Sequence, residues 1–335
     1  MAEVRFLSSL RRVLPSLQTF RRVVIVVGLV AIALLLWKLD ARVVLRTVSH
    51  VGFGIFLILA LEIVTITLNA IGWRLSFAAA EAPAYRIGEL GKLWVAMDGI
   101  NYLIPTGTIA GEVARTSMLN ESHPVEIRTA SVVLSRFSAQ VAQIVFILTG
   151  VIFLVSDLRR LGNYRWMPVV ATVLLAFVSI GALIYALGGY RWIAASESAP
   201  TDAKGMLRSM SLTLRRYLGR HPWRLLASIC VFLTAYSWWA VEAWWICYFI
   251  GLPVSALTAL TIEVMSNALD GALFFVPAKI GTQELGKTAI FSILGLPLSS
   301  GLAFGIIRHI REITWALVGF SIYSMWRRRR VKGEE

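Results

Sequence analysis

Ionisable side chains are costly in an apolar chain, and this one sets out a group of them twice, at matching positions. The stretch D-G-I-N-Y-L-I-P-T-G-T-I-A-G-E-V-A-R-T, from Asp98 to Thr116, returns 172 positions later (Pro105 to Pro277) as D-G-A-L-F-F-V-P-A-K-I-G-T-Q-E-L-G-K-T, from Asp270 to Thr288. Asp98 and Asp270, Gly99 and Gly271, Glu112 and Glu284, and Thr116 and Thr288 coincide; Arg115 is matched by Lys287, and the register runs on to Arg136 and Arg308. Glu112 and Arg115, like Glu284 and Lys287, stand three residues apart and share a helix face. Two readings follow: a closed ion pair, or a glutamate holding a base toward a ligand. Arg136 and Arg308 lie in long apolar stretches, with Glu312 as the one acid near Arg308. A guanidinium presents a rigid fork suited to phosphate oxygens. The expected site therefore comprises Arg136, Arg308, Arg115 and Lys287 around an anionic headgroup, with Glu112 and Glu284 positioning the bases. Pro105, Gly107, Pro277 and Gly281 shape the turns, and Asp98, Asp270 and Glu312 are candidates for ion coupling. Glu62, Glu242 and Glu263, also in apolar segments, could carry protons or be hydrogen-bonded structural groups.

Other chemistries find no signature. The four histidines (His50, His123, His221, His309) are scattered without metal-ligand spacing, and neither a Walker loop nor a G-x-S-x-G elbow occurs. No metal, no cofactor and no ATP-driven cycle are expected. Cys230 and Cys247 fall on one expected helix, about 25 Å apart at 1.5 Å per residue, beyond disulfide reach.

The elements that must hold these residues are transmembrane. The chain is 57% hydrophobic with mean hydropathy +0.71, and several apolar runs approach the roughly 20 residues that cross a bilayer. Six full spans are expected near 23–37, 51–73, 126–155, 166–189, 224–250 and 298–325, in a single polytopic membrane domain covering 1–335. The first span has the look of a retained anchor. The net charge of +14 comes from Lys and Arg in the leader, in a linker at about 190–223 and in the tail, which points to membrane anchoring on anionic lipids at the cytoplasmic surface rather than to nucleic acid. Within the linker, 206–220 reads as a basic amphipathic surface helix. Trp238, Trp239, Trp244 and Trp245 read as an interfacial or lipid-contacting aromatic surface.

Keeping leader, linker and tail all cytoplasmic requires an even number of crossings between them. Segments 88–120 and 256–296 satisfy this as re-entrant helical hairpins, each broken at its proline, where the backbone N–H is missing and the preceding residue leaves the helical region. Three crossings separate the hairpins, so they enter from opposite faces, and the repeats (about 88–155 and 256–325) are inverted. Backbone broken at membrane depth must line a cavity, and a half-helix starting there points its positive end into it. The fold expected is an all-α integral membrane protein of six spans and two re-entrant hairpins in an inverted repeat.

The run P-A-K-I-G-T-Q-E-L-G-K-T-A-I-F-S-I-L-G-L-P from Pro277 to Pro297, followed by the helix bearing Arg308, resembles the proline-glycine-glutamate signature of the transmembrane, flippase-like region of lysylphosphatidylglycerol synthases. The segment from Leu103 to Arg136, with P-x-G and G-E-V-A-R, resembles that family's earlier motif, departing at Thr106 and Thr108; Lys279 stands where the family often has glycine. The resemblance covers nearly the whole chain. It implies a membrane domain that moves a lipid between leaflets, found also in stand-alone proteins. The synthases carry a cytosolic aminoacyltransferase domain after this region; with the chain ending at Glu335, aminoacyl transfer is not expected.

The leading expectation is a lipid translocase in the bacterial inner membrane, with both termini cytoplasmic, handling a lipid with a phosphate-bearing, anionic or zwitterionic headgroup by alternating access. A membrane enzyme or accessory subunit acting on a lipid carrier, with Glu112 and Glu284 as bases, and a small-solute or ion transporter remain as alternatives.

Overall fold

The computed structural model describes residues 41–78, 82–103, 109–119, 124–158, 219, 221–273, 279 and 281–332, and no strand occurs among them. The expected spans at 23–37 and 166–189, nearly all of the linker with its amphipathic segment, and the turn residues Pro105, Gly107 and Pro277 lie outside the described residues. The α-helices are α1 (Ala41–Ser49), α2 (Gly54–Leu75), α3 (Ile87–Leu103), α4 (Ile109–Met118), α5 (Val125–Leu158), α6 (Pro222–Phe249), α7 (Ala256–Ala272), α8 (Thr282–Ile293) and α9 (Leu298–Lys332).

Three of them, Gly54–Leu75, Ile127–Phe153 and Pro222–Phe249, are long and apolar enough to cross a membrane. Helix α9 has 35 residues, about 52 Å at 1.5 Å per residue. Its length suffices for a crossing, but Arg308, Arg311 and Glu312 interrupt its apolar face. Local chemistry sets several ends. Pro222 opens α6, where a missing N–H costs nothing. Ser255 caps α7, its hydroxyl accepting from the Thr258 N–H at 3.0 Å. Gly281 supplies φ 81° just before α8.

The order short helix, shorter helix, long helix occurs twice. Helices α3 and α7 each have 17 residues, α4 and α8 have 10 and 12, and α5 and α9 have 34 and 35. Moved along by 172 positions, every start and end in the first set falls within three residues of its counterpart in the second. Packing is reciprocal as well: α3 lies on α9 while α7 lies on α5, and α2 lies on α3 while α6 lies on α7.

Residue contacts fix how the short helices run along the long ones. On α9, Val95 and Gly99 of α3 meet Gly319 and Ala316, and Tyr102 reaches His309, so α3 runs antiparallel along the C-terminal half. A Cβ on Gly99 would come within 2.6 Å of the Ala316 carbonyl oxygen, and one on Gly319 would strike the Val95 carbonyl. Glycine at both positions lets the two backbones touch. Helix α8 occupies the other half: Thr288 faces Gly301, and Gln283 and Glu284 face Gly305. On α5 the same division holds. Leu119, just past α4, and Arg115 and Glu112 within it meet Arg128, Ser135 and Arg136 in turn. From the other end of α5, Val264, Ala268 and Asn267 of α7 meet Gly150, Ile147 and Gln143. Each long helix is thus flanked by two short ones that approach from opposite ends, and their inner ends come together near its middle.

Apolar packing gathers into two main clusters that share α2. Ile58, Ala243, Ile262, Phe291, Phe304 and Ile307 join α2, α6, α7, α8 and α9 in one cluster. Trp73, Phe77, Leu90, Leu119 and Val132 join α2 to α5 in another. Cys247 is buried in the first cluster and Cys230 is exposed; both are free thiols. Of the tryptophans expected at an interface, Trp238 donates to the Leu61 carbonyl and Trp244 to the Val254 carbonyl, while Trp244 and Trp245 stack with Tyr248 and Phe249 toward the end of α6.

Candidate functional site: two charged junctions at mid-helix

Beside the middle of α5, α4 begins near the point where α3 ends. The Gly111 N–H donates to Asn101 Oδ1 at 2.9 Å, tying the first turn of α4 to the last turn of α3. Glu112 Oε2 lies 2.7 Å from Arg115 Nη2, so the i, i+3 pair forms. Arg115 is 1% exposed, with its guanidinium over the rings of Trp73 (4.3 Å) and Trp94 (4.9 Å), which meet each other at a tilt with their centroids 6.5 Å apart. The same Nη2 donates to Ser135 Oγ at 2.9 Å. A cation desolvated in the corner of two indoles and closed by a carboxylate is a structural peg. Arg136 differs: its side chain is 43% exposed, with Nη1 4.0 Å from Glu112 Oε1. Asp98, one turn before Tyr102 on α3, is exposed yet close enough to Arg115, Glu112 and Arg136, and to Lys279 of the second copy, to feel their charge. Asp98 thus brings an exposed carboxylate among charges from both copies.

Beside the middle of α9, the second junction is more heavily tied. Lys279 Nζ bridges Asp270 Oδ2 and Glu312 Oε1, each at 3.1 Å, and so fastens the end of α7 to α9. Its backbone has φ 50°, in the left-handed region that side chains with a Cβ seldom adopt. Gln283 Nε2 donates to the same Glu312 oxygen at 2.9 Å. Lys287, fully buried, reaches Asp270 Oδ1 at 3.3 Å. Glu284 accepts the Gly281 N–H at 3.1 Å, and its other oxygen is 2.6 Å from His309 Nδ1.

This corrects the expected pairing of Glu284 with Lys287. The physical reason is position: Glu284 sits in the first turn of α8, where its carboxylate folds back over exposed N–H groups at the positive end of the helix. Lys287 is then left to the aspartate closing α7.

A third set joins α2, α6, α7 and α9. Glu62 contacts Arg311; Arg311 Nη1 also contacts Glu242 Oε2 at 2.5 Å; Arg308 Nε stands 3.9 Å from Glu242 Oε1; and Arg308 Nη1 is 2.7 Å from Glu263 Oε2. Asn267 then donates to Glu263 Oε1 at 2.8 Å and accepts from Gln143 at 3.5 Å. Arg308 is 4% exposed and held by two acids from other helices, whereas Glu312 pairs with Lys279 and Arg311. The sequence neighbours of Arg308 do not disclose those partners, and its place in the fold is a buried tie rather than an exposed base.

Of the expected site residues, Glu112, Arg115 and Arg136 gather at the first junction, and Asp270, Gly281, Glu284 and Glu312 with Lys287 at the second. The groups that sequence reasoning left out of the site are Lys279, Gln283, Asn267, His309 and Arg311. Arg311 carried a usable signal, as an ionised group in an apolar helix; the neutral amides carried none. Among the described residues no group of three or more His, Cys, Asp or Glu side chains is arranged to hold a metal ion.

Comparison with known proteins gives one match. The family described as the lysylphosphatidylglycerol synthase TM region matches residues 22–319. No curated protein and no solved structure matches the chain. The protein is a multi-pass, all-α membrane protein, and it belongs to the lysylphosphatidylglycerol synthase TM region family, which points to a role with membrane lipids.

Proposed function

We propose that this member of the lysylphosphatidylglycerol synthase TM region family is a lipid translocase, which passes a lipid with a phosphate-bearing, anionic or zwitterionic headgroup between leaflets by alternating access. The observation that carries the reading is the exposure of Arg136 and Asp98, with part-exposed Lys279 beside Asp98, where the short helices meet, while the neighbouring bases are closed off. Arg136 is the phosphate ligand, Glu112 orients it, and α4 starts nearby with its positive end toward the same space. Arg115 and Lys287 support the site from behind.

In this reading α3–α4 and α7–α8 are re-entrant hairpins, beside six full spans, that enter from opposite faces. What supports it is that each short helix covers one half of a long one and stops near its middle. The two copies form an inverted repeat, an arrangement that lets a central site open to either side by rocking one half against the other. With both termini cytoplasmic in a bacterial inner membrane, Arg327, Arg328, Arg329 and Arg330 at the end of α9 rest on anionic headgroups.

The test is movement of a labelled phospholipid in proteoliposomes by wild type and Arg136→Ala. A charged hydrogen bond is worth about 1.5–3 kcal/mol, so its loss lowers headgroup affinity about 10- to 100-fold. Unchanged transport by well-folded Arg136→Ala removes Arg136 from the site. No transport of any phospholipid by wild type defeats the translocase reading.

A further inference from the structure

We propose that the buried chain Glu62–Arg311–Glu242–Arg308–Glu263 holds one exchangeable proton, taken up at Glu62, and that lipid movement is coupled to it. The chain alternates acid and base, with three carboxylates facing two guanidiniums, and where Arg311 meets Glu312 at 3.6 Å it joins one further pair of acids (Glu312, Asp270) matched by one further pair of bases (Lys279, Lys287), so the excess of one carboxylate remains. A guanidinium does not lose its proton in a protein. With all three glutamates ionised the chain would bury one unbalanced negative charge in the membrane, which is strongly unfavourable. One proton restores neutrality.

Geometry selects the carrier. Glu242 lies between both arginines, and Glu263 has Arg308 on one oxygen and the Asn267 amide on the other. Among the described residues Glu62 has Arg311 as its cationic partner and faces like charges: Glu242 from α6, Asp98 from α3 and Glu312 from α9. It is also the most exposed of the three, at 14% against 0% for Glu242 and 2% for Glu263, which favours it as the point where the proton enters and leaves. Polar capacity around the chain is unfilled. Glu242 Oε1 is fully buried without a hydrogen bond, and Thr65 Oγ1, one turn from Glu62 on α2, is likewise buried without a partner among the described residues. Because Arg311 sits on the long helix against which α3 and α8 meet, gain or loss of the Glu62 proton changes how firmly α2 holds α9. In balance, a carboxylate takes a proton from water on one side and returns it on the other, and nothing else is consumed.

The coupling rests on the translocase reading; the proton site does not. Infrared spectra of the purified protein, taken against pH, test the site directly. Wild type should show the carbonyl band of a buried carboxylic acid, and Glu62→Gln should lose it. Charge counting adds a second expectation: Glu263→Gln leaves two acids for two bases, so it too should lose the band, while Glu62→Asp should keep it. Absence of the band in wild type, or its persistence in both glutamine variants, overturns the proposal. Coupling is read in proteoliposomes with a trapped pH dye. Wild type should carry protons with the lipid and speed up under a pH gradient, and Glu62→Gln should lose that response. Lipid movement by wild type with no proton flux, or one driven by sodium instead, overturns the coupling. If the band behaves as stated but no lipid moves, the proton site stands and the translocase reading falls.

Discussion

Arg308 Nη1 lies 2.7 Å from Glu263 Oε2, a contact that ties the middle of α9 to α7 inside the protein. Both side chains are almost fully buried, so neither can be relieved by water if the other is removed. A buried pair of this kind adds little net stability, yet breaking it leaves a bare charge and costs about 3–5 kcal/mol. Glu263→Ala should therefore unfold at markedly lower temperature in detergent. Arg136→Ala, whose side chain is half open, should unfold near wild type. Equal stability of the two variants would refute this division between tie and ligand.

The packing of Arg115 over Trp73 and Trp94 makes a second stability prediction. Trp73 is fully buried, and truncating a buried tryptophan costs about 3–5 kcal/mol, with about 0.5–2 kcal/mol more for a lost cation–π contact. Trp73→Ala should lower the unfolding midpoint and leave Arg115 accessible to a guanidinium-specific reagent that does not reach it in wild type. Protection of Arg115 in that variant would show that the second tryptophan suffices.

Close backbone approach gives a third. At Gly319 even a methyl group would collide with the Val95 carbonyl, so Gly319→Leu must push α3 off α9. Overpacking of this kind costs about 1–3 kcal/mol. The expected outcome is a less stable protein and lipid movement reduced even at temperatures where it stays folded, because Tyr102 and Asp98 ride on α3. Wild-type movement by Gly319→Leu would mean that the α3–α9 contact does not position the site.

Orientation is checked by labelling. With both cysteines replaced, Gly205→Cys in the basic linker should resist an impermeant thiol reagent added outside intact cells and react after the membrane is opened. Ready labelling from outside would reverse the proposed sidedness and with it the direction from which each hairpin enters.

Much of the architecture was legible in the residues. Repetition of Asp98, Pro105, Glu112 and Arg115 as Asp270, Pro277, Glu284 and Lys287 anticipated two copies of one helical pattern, because the order of breakers, caps and charges is local information. Pairing was legible where it was local: Glu112 and Arg115 share a helical face and do form a pair. It failed for Glu284, since a helix-start carboxylate is drawn to its own exposed N–H groups, and for Arg308, whose acids come from α6 and α7.

By itself the sequence determined that this is a helical membrane protein with costly charges placed twice in register, because hydropathy, proline and glycine act within a few residues of where they stand. Only the tertiary structure decided which of those charges are buried ties and which stay exposed. Arg115 and Arg308 are alike in type and setting to Arg136, and they differ from it through Trp73, Trp94, Glu242 and Glu263, residues brought beside them by packing across distances that the linear chain does not encode.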